Sequence, residues 1–154
     1  LLTIAKNVAL RTGKRVKLTI VSKLSSKERV FRCNSGNIVV NFIDGRIGDS
    51  EKCELYRESH FFIYLAKGNV AMNPPVTLLE AVYHGTIPIA PSWVLRDIEL
   101  PSELIANDEF EAIDKIVNLW NNQERLAYVA ARLKKSFGRF YDVHRFDEAI
   151  RRTL

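Results

Sequence analysis

The chain has 154 residues, 47% of them hydrophobic, which is enough for one compact domain with a buried core. Its 23 basic and 18 acidic residues give a net charge of +5, which suits polyanions such as nucleotide diphosphates, anionic lipid surfaces and nucleic acid. No apolar run approaches the ~20 residues of a membrane-spanning helix, and the N-terminal residues lack a signal-peptide pattern. These observations exclude a membrane-embedded domain and predict a single soluble domain over residues 1–154.

Motifs typical of several enzyme classes are absent from the sequence. There is no Gly-x-Gly-x-x-Gly turn, which a dinucleotide-dependent dehydrogenase needs, and no Gly-Lys-Ser/Thr loop of a P-loop enzyme. Cys33 and Cys53 form neither a metal-spaced pair nor a disulfide framework, so we expect two free thiols in a reducing compartment. The three histidines stand far apart, and His84, near the end of a predicted helix, most simply complements the helix dipole. No metal site is predicted.

The first part of the chain alternates between helical and strand patterns. Apolar residues recur at helical spacing from residue 1 to residue 8, and Gly13 is the expected stop. Residues 16–21 and 38–42 have strand patterns, whereas residues 29–33 fit either a weak strand or a helix. Residues 50–59 are predicted to form a helix capped by Ser50, with Cys53 and Tyr56 facing the sheet.

A strand, helix, strand unit forms the predicted centre of the domain. Residues 61–65 are a continuous apolar run, typical of a central strand buried on both faces. Asn73 is expected to cap a helix that begins at Pro74 and ends at Gly85, since Pro has no amide to leave unpaired. Residues 87–90 then form a second buried strand.

The last third of the chain is mostly helical in pattern. Residues 92–98 are expected to form a short helical segment and residues 103–106 a last short strand. Asn107 or Asp108 should cap the next helix. Its predicted buried face contains Phe110, Ile113, Val117 and Trp120. Apolar positions 126, 129, 133 and 137 predict a further helix, and residues 145–153 a final one. The alternation predicts an α/β fold with a parallel sheet covered by helices on both faces.

Glu80 is the only acid in a predicted helix that is otherwise apolar on nearly every face. A carboxylate buried on such a helix needs hydrogen-bond donors or a partner of opposite charge. Sugar hydroxyl groups are suitable donors, and they would make Glu80 a ligand-binding residue. The alternative is that a local backbone group or Lys67 satisfies the carboxylate and its role is structural.

Three short motifs occur in order around Glu80: Leu-Glu-Ala at 79–81, Gly-Thr-Ile-Pro-Ile-Ala at 85–90 and Leu-Arg-Asp-Ile at 95–98. This series resembles the donor-nucleotide motif of retaining glycosyltransferases with the two-domain GT-B fold, in the glycogen synthase and mannosyltransferase-like group. The resemblance extends over roughly residues 16–120. It implies the C-terminal, Rossmann-like half of a hexosyltransferase, which binds a nucleotide-diphosphate sugar and donates the sugar to an acceptor.

The resemblance implies a role for each of several residues. Glu80 would hydrogen-bond the ribose hydroxyls of the nucleotide. The amides of Val76 and Thr77, at the helix N-terminus, would hold the diphosphate. Lys67 would add positive charge nearby, and Arg46 would lie close to the nucleotide base.

Some positions depart from the family pattern. The family's first motif carboxylate falls on Met72, which cannot do the work of a carboxylate, and the usual turn glycines fall on Asn73 and Pro75. The turn is therefore stiffer and has fewer amide donors. These departures favour an alternative function, in which the domain keeps the fold but has little or no transfer activity and acts as a binding or scaffold partner.

The implied partners are a nucleotide sugar and a second Rossmann-like domain, so we expect the chain to be a fragment of a longer two-domain chain. No cofactor is implied besides the nucleotide sugar as donor substrate, and we expect no nucleic-acid partner. The expected location is the cytoplasm. A peripheral contact with a membrane surface or a lipid acceptor stays open.

Overall fold

The computed structural model describes residues 1–22, 30–45, 47–65, 75–95 and 100–138. Over these ranges the chain is a mixed α/β protein. Its helices are α1 (Leu2–Thr12), α2 (Asp49–Arg57), α3 (Val76–Tyr83), α4 (Glu109–Asn121) and α5 (Gln123–Gly138). Its strands are β1 (Val16–Ser22), β2 (Val30–Ser35), β3 (Ile38–Asp44), β4 (Phe61–Ile63) and β5 (Ile87–Ile89). None of the described helices is long and apolar enough to cross a membrane.

The described strands form two small sheets. In the first, β3 lies between β1 and β2, parallel to β1 and antiparallel to β2. In the second, β4 and β5 are parallel. The predicted α/β class with parallel strand pairs is confirmed, but β2 departs from the expected all-parallel arrangement. Only Gly36 and Asn37 separate β2 from β3, and so short a connection can join only antiparallel strands. Of residues 29–33, where the pattern left strand or helix open, the described residues 30–33 are strand.

Helix α1 forms as its apolar spacing predicts. Its buried residues are Ile4, Ala5, Val8 and Ala9, and this face packs against α4 and β1. Gly13 ends the helix in the left-handed conformation, with a φ of 66°, and its amide donates to the Ala9 carbonyl at 3.0 Å. A residue without a Cβ adopts this conformation at least cost, so the predicted stop is confirmed.

Strand β5 is buried along its whole length and lies inside the core. The Ile87 amide donates to the His60 carbonyl at 3.0 Å, and the Ile89 carbonyl accepts from the Tyr64 amide at 2.9 Å, which ties β5 to β4. The prediction that β4 is the buried, central strand is wrong, because Phe61–Ile63 is only half-buried and its one described neighbour is β5.

The other edge of β5 pairs with the segment that follows Pro101. The Ala90 amide donates to the Leu104 carbonyl at 3.1 Å, and Ala90 forms a parallel bridge with Ile105. Along a parallel strand successive amides point to opposite edges. Pro88, which has no amide hydrogen, is tolerated in β5 because pairing at this edge begins only at Ala90. The inner position in this sheet therefore belongs to β5.

Helix α3 begins two residues later than the sequence pattern predicts. Its N-cap is Pro75, with φ −62° and ψ 133°, so the predicted start at Pro74 is wrong. A proline disfavours helical geometry in the residue before it, and Pro75 therefore prevents a start at Pro74. The predicted cap, Asn73, lies outside the described residues. Helix α3 ends at Tyr83, and Gly85, with a φ of 86°, confirms the expected stop.

Helix α2 covers most of the predicted range. Gly48 is its N-cap, with φ −69° and ψ 159°, so the prediction that Ser50 caps the helix is wrong. Ser50 lies one residue inside the helix because the turn after β3 ends earlier than expected. Tyr56 is buried as predicted, whereas Cys53 is half-buried and is a free thiol.

Helix α4 begins as predicted, with Asp108 as N-cap accepting from the Glu111 amide at 2.8 Å. Its buried residues are Ala112, Ile113, Ile116, Val117 and Leu119. The prediction that Phe110 is buried is wrong, because its side chain is 75% exposed. Phe110 lies in the first turn, at the margin of the buried stripe, where no described element covers it.

The predicted strand at 103–106 is mostly a short 3-10 helix, Ser102–Leu104, and only Ile105 bridges to β5. The expected helical segment after Pro91 is the 3-10 helix Ser92–Leu95. Helix α5 is confirmed, with its apolar positions Val129, Leu133 and Phe137 buried. The predicted last helix at 145–153 lies outside the described residues.

Removing the α4 cap should destabilise the protein. Asp108→Ala leaves the Glu111 amide without its acceptor, and we expect a loss of about 1 kcal/mol in the free energy of unfolding, measured by urea titration. Asp108→Asn keeps the acceptor and should retain most of the stability. Equal stability of the Ala variant and the unsubstituted protein would show that the cap contributes nothing.

Ile113 and Phe110, two apolar residues of α4, differ in exposure. Truncating them should therefore have different effects on the free energy of unfolding. Ile113 is 3% exposed, so Ile113→Ala should cost about 2–5 kcal/mol of unfolding free energy. Phe110→Ala removes an exposed ring and should change stability by no more than about 0.5 kcal/mol. Similar losses in both variants, measured in the same urea titrations, would contradict the observed burial.

Candidate functional site

Glu80 lies on α3 and faces α2. Its Oε1 accepts a hydrogen bond from Lys52 Nζ at 2.9 Å, and its Oε2 accepts from the Tyr56 hydroxyl at 3.3 Å. The Glu80 side chain is 27% exposed and is therefore half-buried. The expectation that Glu80 needs a partner is confirmed. That partner is Lys52 and not a local backbone group, and Lys67 lies outside the described residues.

Lys52, in the first turn of α2, bonds to two carboxylates, those of Glu80 and Asp49. Its ammonium group lies 2.9 Å from Glu80 and 3.2 Å from Asp49 Oδ1, and its side chain is 28% exposed. The hydrogen bond to Glu80 is the main reason that the pKa of Lys52 is raised, and partial burial opposes it. Because Asp49 is 95% exposed, its bond with Lys52 is the weaker of the two.

Tyr56 supplies the second donor to Glu80 and is itself held firmly. Its side chain is 8% exposed, its ring packs edge-on against Phe62 with centroids 5.8 Å apart, and its carbonyl accepts from the Thr86 hydroxyl at 2.6 Å. Burial, followed by the negative charge of Glu80, raises the pKa of Tyr56 to about 12. The phenol therefore stays protonated and keeps donating at neutral pH.

His84 is the C-cap of α3, and its ring stacks on Tyr56 with centroids 6.0 Å apart. Burial and then the positive charge of Arg57 lower the pKa of His84, against a smaller opposing effect of Glu80. The direction of this shift favours the neutral form of the ring, which packs on Tyr56. That His84 complements the helix dipole stays a prediction.

The side chains of the Glu80 site come from two helices, each of which follows a strand in the chain. Helix α2 begins shortly after β3 ends, and Lys52 is in its first turn. Glu80 is little more than one turn into α3, which follows β4 in the chain. Tyr56 also connects the site to Thr86, the residue before β5, whose hydroxyl donates to the Tyr56 carbonyl. The Glu80 carboxylate is thus held where the two helices contact each other.

The first five residues of α3 include three predicted site residues, Val76, Thr77 and Glu80. Val76 is 47% exposed and Thr77 is exposed, and both lie within four positions of Glu80 on the helix. Leu78 provides the first amide that donates within the turn, to the Pro75 carbonyl at 3.0 Å. The two preceding amides lie at the helix end, where the dipole favours an anion.

The other predicted site residues, Arg46, Lys67, Met72 and Asn73, lie outside the described residues. Sequence reasoning also missed Lys52 as part of the site. The sequence signal for Lys52 was its position four residues before Tyr56, on the helix face that was predicted to meet the sheet. It was not sufficient, because the partner carboxylate is 28 residues away in sequence.

No known protein family, curated protein or solved structure matches this chain. Over the part of the chain that the structure describes, no group of three or more His, Cys, Asp or Glu side chains could hold a metal ion. The described residues of the site offer the Glu80 carboxylate with two fixed donors, on the helix whose N-terminus carries Val76 and Thr77.

Alkaline pH should weaken the fold partly through Tyr56. The folded protein keeps the phenolic proton up to a pKa of about 12, whereas the unfolded chain loses it near 10.0. Tyr56 therefore contributes stability that is complete below pH 10.0 and is lost as the pH rises towards about 12. The unfolding free energy should fall more steeply over this range than in Tyr56→Phe. Parallel curves for the two proteins would contradict this.

Proposed function

We propose that this chain is the donor-binding domain of a GT-B glycosyltransferase and binds a nucleotide-diphosphate sugar. The observation that carries the proposal is the partly exposed Glu80 side chain, whose carboxylate is held by Lys52 and Tyr56. The order of Leu-Glu-Ala on α3, the turn at Gly85 and the buried strand β5 supports it. The proposal includes a Rossmann-like arrangement of the whole sheet.

Glu80 retains the capacity to bind a ligand although it already has partners. A carboxylate has about four lone-pair sites, and Lys52 and Tyr56 use one on each oxygen. Ribose hydroxyls could donate to the remaining sites. Hydrogen bonds to a charged acceptor are stronger than those between neutral groups, so this contact would contribute substantially to affinity.

The N-terminus of α3 supplies the complementary group for the diphosphate. The amides of Val76 and Thr77 and the helix dipole favour negative charge at this end. Fixed donors at the diphosphate stabilise the charge that develops on the leaving group as the glycosidic bond breaks. In the proposal Lys67 adds positive charge there, and Arg46 contacts the base.

Two positions depart from the family pattern, and the proposal accommodates both. Met72 stands where a carboxylate would position the sugar, and Asn73 stands at a turn glycine. Donor binding by Glu80 and the α3 amides does not depend on either position. The transfer step would require a second Rossmann-like domain and an acceptor, with a lipid acceptor at the cytoplasmic membrane surface as one option. No metal is needed for this mode of binding.

A second candidate function is that of a scaffold domain without transfer activity. Both Glu80 oxygens already accept from donors of this chain, and the ion pair with Lys52 joins α2 to α3. A carboxylate used in this way is sufficient to hold the helices together without any ligand. Met72, in place of the motif carboxylate, supports the same function.

Isothermal titration calorimetry with UDP, GDP and ADP separates the two functions. Donor binding predicts micromolar affinity for one nucleotide, weakened by about 1–3 kcal/mol in Glu80→Ala because a charged acceptor is lost. Glu58→Ala is the matched control, since Glu58 also pairs with a lysine, Lys17, at 3.1 Å but is 56% exposed. It should bind like the unsubstituted protein.

Circular dichroism of each variant establishes that it is folded before titration. No binding of any of these nucleotides at millimolar concentration would contradict the donor-binding function and support the scaffold. Equal weakening by Glu80→Ala and Glu58→Ala would show that the site lies elsewhere.

A further inference from the structure

The groups that surround Glu80 determine which part of a ligand can bind there. We refer to Asp49, Lys52, Tyr56 and Glu80 as the α2–α3 cluster. Two carboxylates and one ammonium group give the cluster a net negative charge, because the Tyr56 phenol is neutral. The cluster therefore repels a phosphate group and attracts hydrogen-bond donors. A nucleotide sugar provides neutral donors in the hydroxyl groups of its ribose and its sugar and in the N–H groups of its base.

The carboxylate of Glu80 is fixed at both oxygens. Lys52 donates to one oxygen and Tyr56 to the other, so the carboxylate plane is held from two directions. A glutamate on a helix surface otherwise loses considerable rotamer freedom when it binds a ligand. Prior fixation removes this cost from the binding step.

Tyr56 is the more rigid of the two donors. Its ring lies between Phe62 and His84, with centroid distances of 5.8 Å and 6.0 Å. Thr86, which is 1% exposed, holds its backbone carbonyl. The position of the phenolic hydroxyl is thus set by the buried part of the domain, and Glu80 is aligned on it.

We infer that Lys52 and Tyr56 are positioning residues that hold the Glu80 carboxylate to accept two hydrogen bonds from adjacent hydroxyl groups, a vicinal diol, of the ligand. The inference rests on the proposed function and deepens it. In a nucleotide the diol is that of the ribose, so the cluster selects ribonucleotides over deoxyribonucleotides. Each carboxylate oxygen then accepts one bond from the protein and one from the diol, which its lone pairs allow.

The test compares a nucleoside diphosphate with its 2′-deoxy and 3′-deoxy forms by calorimetry, using whichever of UDP, GDP and ADP binds. The unsubstituted protein should prefer the ribo form by about tenfold or more, because each deoxy form leaves one hydrogen bond to a charged group unmade. In Lys52→Met and in Tyr56→Phe the preference should fall to about threefold or less, and Lys52→Arg should restore most of it.

The ratio of affinities separates positioning from a purely structural role, because a general loosening of the domain weakens all forms of the nucleotide equally. Lys17→Met is the control, since Lys17 forms an exposed ion pair with Glu58 and neither residue belongs to the α2–α3 cluster. This variant should keep the full preference. Tyr56→Phe retains the ring packing, so it carries the test if Lys52→Met fails to fold.

An unchanged ratio in both Lys52→Met and Tyr56→Phe, with nucleotide still bound, would overturn the positioning role and leave donor binding intact. Equal loss of affinity for ribo and deoxy forms would overturn it in the same way. If none of the nucleotides binds to the unsubstituted protein, the proposed function and this inference both fail.

Discussion

Complete burial of β5 is the constraint on which the positions of the other elements depend. The strand pairs with β4 at one edge and with the segment around Ile105 at the other, and its side chains lie in the main apolar cluster. Helix α3 leads into β5 through the tight turn at Gly85, so the location of the strand determines where the helix ends. The direction in which Glu80 points is in turn a consequence of how α3 packs.

A half-buried carboxylate on an apolar helix is costly unless donors meet it. Lys52 and Tyr56 meet this requirement from α2, and their bonds join α2 to α3. The same pair of donors orients the carboxylate of a side chain that is 27% exposed. Structural and ligand-binding roles of Glu80 are therefore compatible, and both proposed functions use one arrangement of atoms.

The periodicity of the sequence predicted those features that depend on the local pattern of residues. It failed for features that are determined by contacts between distant segments. The helical stripes of α1 and α5, the cap at Asp108 and the buried strand β5 followed from spacing and residue type. Exposure of Phe110 could not be predicted, because a stripe gives the buried face but not how far the neighbouring elements cover it. The Lys52 partner of Glu80 could not be predicted either, because it depends on how α2 and α3 pack.

The most direct test of the proposed site is chemical-shift mapping of backbone amides by NMR during titration with UDP, GDP and ADP. The largest changes should fall on two first turns, those of α2 around Lys52 and of α3 around Thr77, and extend to Glu80. The amides of α5 should change little. Changes concentrated on α1, α4 or α5, or no changes with any of the nucleotides, would contradict a donor site at Glu80.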